Sequence, residues 1–225
     1  MKIKAVVPVR KGSSRVKNKN FKTFGDTTLL ELKIDNLLNV GEFDEIIVNT
    51  DSEEAIEIAI SKGVSFHRRE DFFASPKCSN SEFLEHLGHV TETDFFAYCP
   101  CTSPFISSKT ISEAISIFFS KDSIDSLATV SSVKEFLWLN GNPINYERDK
   151  QPNSQNLPNI CSLNFGLNLI SRSNLIKNKN IVGLKPHLML IDEIEGMDID
   201  TPLDFFVAEQ YYIHTKINGN KNILG

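Results

Sequence analysis

Short apolar runs alternate along this chain with segments whose apolar residues recur at helical spacing. Ile3–Val9, interrupted only by Lys4, reads as a central strand of a parallel sheet covered on both faces. Thr28–Val40 places Leu29, Leu30, Leu32, Ile34, Leu37 and Leu38 on a helical repeat, with Gly41 as the stop. Glu45–Thr50 is a second buried strand. Ser52 then caps a helix whose first turn carries Glu53 and Glu54 and which ends at Lys62-Gly63. Val64–His67 reads as a short strand, Ser81–Val90 as a helix and Asp94–Cys99 as a strand rich in aromatics. Thr110–Glu113 has the form of a capping box opening a helix through Phe119, and Ser126–Val133 is a further strand.

This alternation, with short connections, predicts an α/β fold: a three-layer, doubly wound, Rossmann-like and mostly parallel sheet. Ligands in such sheets sit beyond the carboxyl ends of the strands. The loop after Val9, Thr50-Asp51 and Cys99–Pro104 should therefore meet at one rim. The pattern breaks at about 134–158, a polar, Asn- and Pro-rich stretch that also holds the single Trp, Trp138. It reads as an excursion from one domain spanning 1–225, either packing on a second subunit or lying as an exposed loop. Strand character resumes at Ser162–Ile170 and Leu188–Ile191. Thr201-Pro202 opens a last helix to about Ile213, and Lys216–Gly225 is expected to fray.

Charge changes this picture at one place. Residues 1–25 hold eight of the 24 basic residues and no acidic one, while the other 200 residues hold all 29 acidic ones. Five of those eight (Arg10, Lys11, Arg15, Lys17, Lys19) fall in the ten residues after the first strand. A short positive loop on a chain of net charge −5 suits a small polyanion and argues against nucleic acid. No apolar stretch approaches the roughly 18 residues of a membrane span. Met1 runs almost directly into the first strand, so no leader is expected and the cytoplasm is the expected compartment. Cys78, Cys99, Cys101 and Cys161 lack metal-site spacing and read as buried, reduced thiols. The Phe-Phe pairs read as core.

The loop is neither a P-loop nor a dinucleotide fingerprint. Its parts still suit phosphate. Gly12 permits close backbone approach, and Ser13, Ser14 and the loop amides donate. Arg10 and Arg15 offer bidentate forks, and Lys19 a point charge. Near the other end, Asp198 and Asp200 flank Ile199 in an extended segment. Both carboxylates then face one way, with α-carbons roughly 7 Å apart, within reach of a hydrated Mg²⁺. Cationic phosphate ligands plus a carboxylate pair are the equipment of nucleotidyl or phosphoryl transfer.

Pro8-Val-Arg-Lys-Gly-Ser-Ser-Arg-Val-Lys-Asn-Lys-Asn20 resembles the opening signature of the acylneuraminate cytidylyltransferases. Ile46–Asp51, Arg69–Ser75, Thr102-Ser-Pro104 and Asp198-Ile-Asp-Thr201 resemble later motifs of the same family, in the same order. The resemblance implies a fold of the nucleotide-diphospho-sugar-transferase type. It implies transfer of CMP from CTP to the anomeric hydroxyl of an acidic nine-carbon α-keto sugar, with Mg²⁺ as cofactor. By the same resemblance Arg10 and Lys19 hold the triphosphate, Asn20, Arg69 and Asn80 contact the nucleotide, and Asp198 and Asp200 hold the metal. The 134–158 excursion would cross a homodimer, and Lys134 stands where the family can place a sugar-facing lysine.

The chain departs from the family pattern at several positions. Pro100 stands where a Gln is usual, Pro76 where an Asp is usual, and Asn80 where a Ser is usual. Ser162–Asn168 lacks the Arg of sialic acid enzymes. The acceptor is therefore expected not to be plain N-acetylneuraminic acid. The alternatives are an enzyme for another sugar acid, such as a 3-deoxy-octulosonate, and a catalytically weak nucleotide-binding homologue.

Overall fold

The computed structural model describes residues 1–12 and 15–217. β1 (Ile3–Val9), β2 (Thr23–Phe24) and β3 (Thr27–Thr28) lead into α1 (Leu29–Leu38). β4 (Glu45–Thr50), α2 (Glu53–Ser61) and β5 (Ser65–Arg68) follow, then α3 (Asp71–Ala74) and α4 (Asn80–Val90). β6 (Phe95–Tyr98), α5 (Ser108–Ser120) and β7 (Ser126–Val133) precede a hairpin of β8 (Trp138–Leu139) and β9 (Asn142–Pro143). β10 (Ile160–Ser171), α6 (Arg172–Asn178), β11 (Pro186–Leu190) and α7 (Pro202–Ile217) complete the described chain.

Seven strands form one sheet in the order β11-β7-β10-β6-β1-β4-β5. β1 lies between β4 and β6, parallel to both. Alternation along β1 sends Ala5, Val7 and Val9 to one face, against Leu30 and Ile34 of α1, Ile111 of α5 and Phe205 of α7. Val6 faces the other way, with Phe96 of β6, onto Phe83 and Leu87 of α4 and Leu175 of α6. Helices thus cover both faces, as the alternating pattern predicts. β10 is the exception to parallel pairing, running antiparallel to β6 and β7. No crossover helix separates it from β7; the excursion lies wholly at the rim, so the chain returns directly and must reverse.

Local signals set most boundaries. Thr28 caps α1 and Ser52 caps α2, each side chain accepting a backbone N–H. Three expectations are corrected. α5 begins earlier than the capping box suggested, because Ser107 is the cap and accepts from the Thr110 N–H. α1 closes at Asn39, before Gly41. α7 continues through Lys216 and Ile217, while the rest of the expected fraying tail, 218–225, lies outside the described residues. Among the Phe-Phe pairs, Phe72 and Phe206 are exposed. Cys99 and Cys101 are buried free thiols, but Cys161 is exposed.

Candidate functional site

β1, β4 and β6 end together, and the loops that leave them form the predicted rim. The Lys11 N–H donates to Asp51 Oδ1 at 2.7 Å, tying the basic loop to the turn after β4. Gly12 adopts φ +80°, a conformation that favours glycine, and a Cβ there would meet nothing within 4 Å. Ser13 and Ser14 lie outside the described residues.

Arg10, Arg69 and Asn80 converge on a cleft of about 390 Å³, with Pro8, Tyr98 and Pro100 on its wall. Arg69 is 6% exposed and held rigidly. Its Nε donates to Asn49 Oδ1 at 2.6 Å and a terminal nitrogen to Asn49 O at 2.8 Å. The guanidinium also lies over the Phe83 ring, 4.2 Å from its centroid. Burial brings its pKa down to about 10, so it remains a cation at neutral pH, and burial pushes the neighbouring Tyr98 phenol up to about 12. The Asn49 amide contacts His67 Nδ1 at 3.0 Å. Asn80 sits in the first turn of α4 because Ser79 and Glu82 form a reciprocal capping box ahead of it. Phe73 also reaches this cleft, stacked on His86 at 3.5 Å, so it serves the wall as well as the core.

A second cluster joins the two ends of the chain. Ile199 is fully buried, as alternation predicted, leaving Asp198 and Asp200 half-buried on either side. The Ile199 N–H donates to Thr102 O at 2.8 Å, and its carbonyl accepts from Lys19 Nζ. Arg15 pairs with Asp200 Oδ1 at 2.8 Å, and Lys19 Nζ lies 3.9 Å from the same oxygen. The Asp204 carboxylate accepts from the Asp200 and Thr201 N–H groups, fixing the approach to α7. Burial lowers the Lys19 pKa while Asp200 and Asp198 oppose that shift. Burial raises the Asp198 pKa, a Thr102 hydrogen bond opposing and Asp200 adding to the rise.

Asp198 Oδ1 in this cluster, and Asn20 Oδ1 at the end of the basic loop, are buried and lack partners among the described residues. Orphaned buried acceptors are rare and point to a missing cation or donor. No group of three or more His, Cys, Asp or Glu gathers among the described residues. The donor set is therefore an open carboxylate pair. It fits Mg²⁺, which takes one or two protein carboxylates and fills its other positions with phosphate oxygens and water.

The structure brings Arg10, Arg69 and Asn80 to one cleft and Arg15, Lys19, Asp198 and Asp200 to the other cluster, so Arg10 and Lys19, expected together at a triphosphate, fall in different groups. Gly12 lies on the open loop between Arg10 and Arg15. The sequence did not single out Asn49, Tyr98 or the Thr102 carbonyl as supports, since their roles arise from pairing across strands. Lys134 donates to Leu157 O at 3.2 Å and Asn159 Oδ1 at 2.9 Å, closing the base of the excursion instead of standing free.

The model of one protein family, described as cytidylyltransferase, matches residues 4–158. The chain is 28% identical to the N-acylneuraminate cytidylyltransferase of Escherichia coli O18:K1:H7, over 98% of its own length but only 58% of that relative's. It is 27% identical to the CMP-N,N'-diacetyllegionaminic acid synthase of Legionella pneumophila, covering 93% of this chain and 96% of the relative. Among solved structures, a CMP:2-keto-3-deoxy-manno-octonic acid synthetase complexed with CTP superposes with a TM-score of 0.67 at 14% identity. That match covers 95% of this chain and 99% of that one, a likeness of fold. With the matched residues spanning both the basic loop and the Arg69 cleft, the chain belongs to the cytidylyltransferase family.

Proposed function

We propose that this chain transfers CMP from CTP to the anomeric hydroxyl of an acidic nine-carbon α-keto sugar, releasing pyrophosphate. The observation that carries this reading is the Lys19 clasp: a buried ammonium from the phosphate loop bonded to the peptide between Asp198 and Asp200. It joins the cationic and acidic halves of a nucleotidyl-transfer site. The names of the relatives support CTP as donor and a nonulosonic acid as acceptor.

In this reading the Arg69–Asn80 cleft holds the nucleoside, and Arg10, Arg15 and the loop amides meet the triphosphate. The buried Asn20 Oδ1 accepts from a substrate donor. Asp198 and Asp200 would hold Mg²⁺, which neutralises charge on the transferring phosphate when bound. Lys19 remains beside them as a fixed cation facing the α-phosphoryl group, where negative charge grows as the sugar oxygen attacks. The residues supply position and charge, which is most of what phosphoryl chemistry asks of a protein.

The exposed side chains of Trp138, Leu139 and Ile144 support a homodimer built on the excursion. Among the described residues no helix is long and apolar enough to cross a membrane, and we set the reaction in the cytoplasm, beside the nucleotide pool.

The test is pyrophosphate release with Mg²⁺, each of the four nucleoside triphosphates and a panel of α-keto acid sugars. Release with CTP and one or more nonulosonic acids supports the proposal. CTP binding without release for any sugar favours a nucleotide-binding homologue, and turnover confined to a 3-deoxy-octulosonate redirects the acceptor.

A further inference from the structure

Lys33 is the fully buried lysine of α1, surrounded on its helix by Leu29, Leu30, Ile34 and Leu37, and the chemistry above does not use it. Its Nζ donates to Ser103 O at 2.6 Å, and no carboxylate pairs with it among the described residues. Its titratable neighbours are Cys99 and Cys101, whose thiols burial pushes up to about 12, so neither offers a negative charge at neutral pH. Burial lowers the Lys33 pKa, and a buried amino group with one neutral acceptor is costly to keep, while an apolar side chain of like size would pack at least as well.

What it holds explains the cost. Ser103 lies in the loop leaving β6, beside Thr102, whose carbonyl receives the Ile199 N–H at 2.8 Å. Ser103 Oγ donates in turn to Asn164 O at 2.9 Å, anchoring the loop to β10. The Ile199 peptide is therefore gripped from both sides: its carbonyl by Lys19, its N–H by the loop that Lys33 fastens.

We propose that Lys33 is a positioning residue: its bond to Ser103 O sets the Thr102 carbonyl and, through Ile199, the aim of Asp198 and Asp200. This rests on the reading that those carboxylates hold Mg²⁺.

The test uses the full chain carrying Lys33→Met, which keeps the volume and removes the donor. Deuterium exchange in a peptide covering 197–200 should quicken about tenfold while β1 and β4 peptides match wild type. The Mg²⁺ concentration for half-maximal rate should rise about tenfold, with KM for CTP within twofold. Asn36→Ala is the control, because Asn36 bonds Ile106 O at 2.5 Å from the same helix without touching Thr102 or Ser103, and both readouts should stay at wild type. Lys33→Gln, which falls short of Ser103, replaces Lys33→Met should the latter not fold. Wild-type exchange at 197–200 in the Lys33 variant overturns the proposal, as does faster exchange with an unchanged Mg²⁺ curve, or an equal effect of Asn36→Ala. A wild-type enzyme with no divalent-ion dependence sinks the metal reading instead, and the exchange comparison still judges Lys33 as the anchor.

Discussion

Arg15 and Asp200 meet at 2.8 Å, closing the basic loop onto the acidic segment from the far end of the chain. Both side chains keep substantial exposure, 64% and 43%, so the pair adds little to stability. In the proposed function the pair would hold a fork beside a carboxylate, ready for a triphosphate. Arg15→Gln should therefore leave Tm within about 1 °C of wild type, as expected for an exposed pair. It should lower kcat/KM for CTP about tenfold, the scale of one charge-assisted contact. Calorimetry and initial rates check both, and an unchanged kcat/KM removes Arg15 from the site.

Asp198→Asn should part activity from stability. Loss of a carboxylate proposed to hold the metal should cut kcat at saturating Mg²⁺ by about 100-fold or more. Stability should move the other way. Burial raises the Asp198 pKa above its ordinary 3.8, so the folded protein binds this proton more readily than the unfolded chain. Stability owed to this group then falls as pH rises above about 3.8 and stays lower beyond the folded pKa. The variant should melt above wild type at pH 7, and the gap should close as pH falls toward 3.8. A gap that persists unchanged at low pH would contradict this linkage.

Much of this could be read in the chain, for identifiable reasons. Buried strands such as Glu45–Thr50 and caps such as Ser52 are local signals, and the basic loop after β1 folds with Arg10 in the cleft and Arg15 and Lys19 against the acidic segment. The Asp198-Ile199-Asp200 alternation holds because an extended segment has a period of two whatever lies around it. The direction of β10 was not legible, since pairing sense depends on where the connection runs. Lys33 has an ordinary place in a helical pattern, and only packing reveals it as core. Asn140-Gly141, both at positive φ, is a hairpin signal present in the sequence and left unread inside a polar stretch.

Arg69 tests how rigid the proposed nucleotide cleft must be. Its two bonds to Asn49 use the Nε and a terminal nitrogen, a fork that lysine lacks. Arg69→Lys should raise KM for CTP about tenfold or more, with a smaller change in kcat, because the lost contact belongs to binding. Asn49→Ala should reproduce part of that effect from outside the cleft. Equal kcat/KM in Arg69→Lys and wild type would place the nucleotide elsewhere.

The excursion carries its own prediction. The Asn145 side chain bonds Leu137 N and Glu135 O, so the β8–β9 hairpin is internally braced while it presents Trp138, 51% exposed, and Leu139, 60% exposed. Trp138→Ser with Leu139→Glu should convert the proposed dimer to monomer in analytical ultracentrifugation, with the monomer's Tm close to the parent's. Wild-type protein that sediments as a monomer at tens of micromolar defeats the dimer proposal.

The acceptor sugar is the sharpest question for the rim beside β10. Asn164 is 4% exposed and fully engaged. Its Oδ1 accepts from Thr129 Oγ1 at 2.7 Å and Gly166 N at 3.1 Å, and its Nδ2 donates to Ser131 Oγ at 3.0 Å. A Cβ on Gly196 would come within 2.5 Å of Ser131 Oγ, so the loop before Asp198 packs directly on this network. Ser162–Ile170 therefore offers a sugar carboxylate no positive charge of its own, only neutral side chains. A charge-assisted hydrogen bond contributes about 1.5–3 kcal/mol, which corresponds to roughly 10–100-fold in KM. That carboxylate is common to every sugar in the panel, so its missing cation acts on all of them alike and selection must come from the neutral side chains here. N-acetylneuraminic acid should show a KM at least about tenfold above that of the best nonulosonic acid, at similar kcat. Equal kcat/KM for the two sugars would mean that this stretch does not select the acceptor.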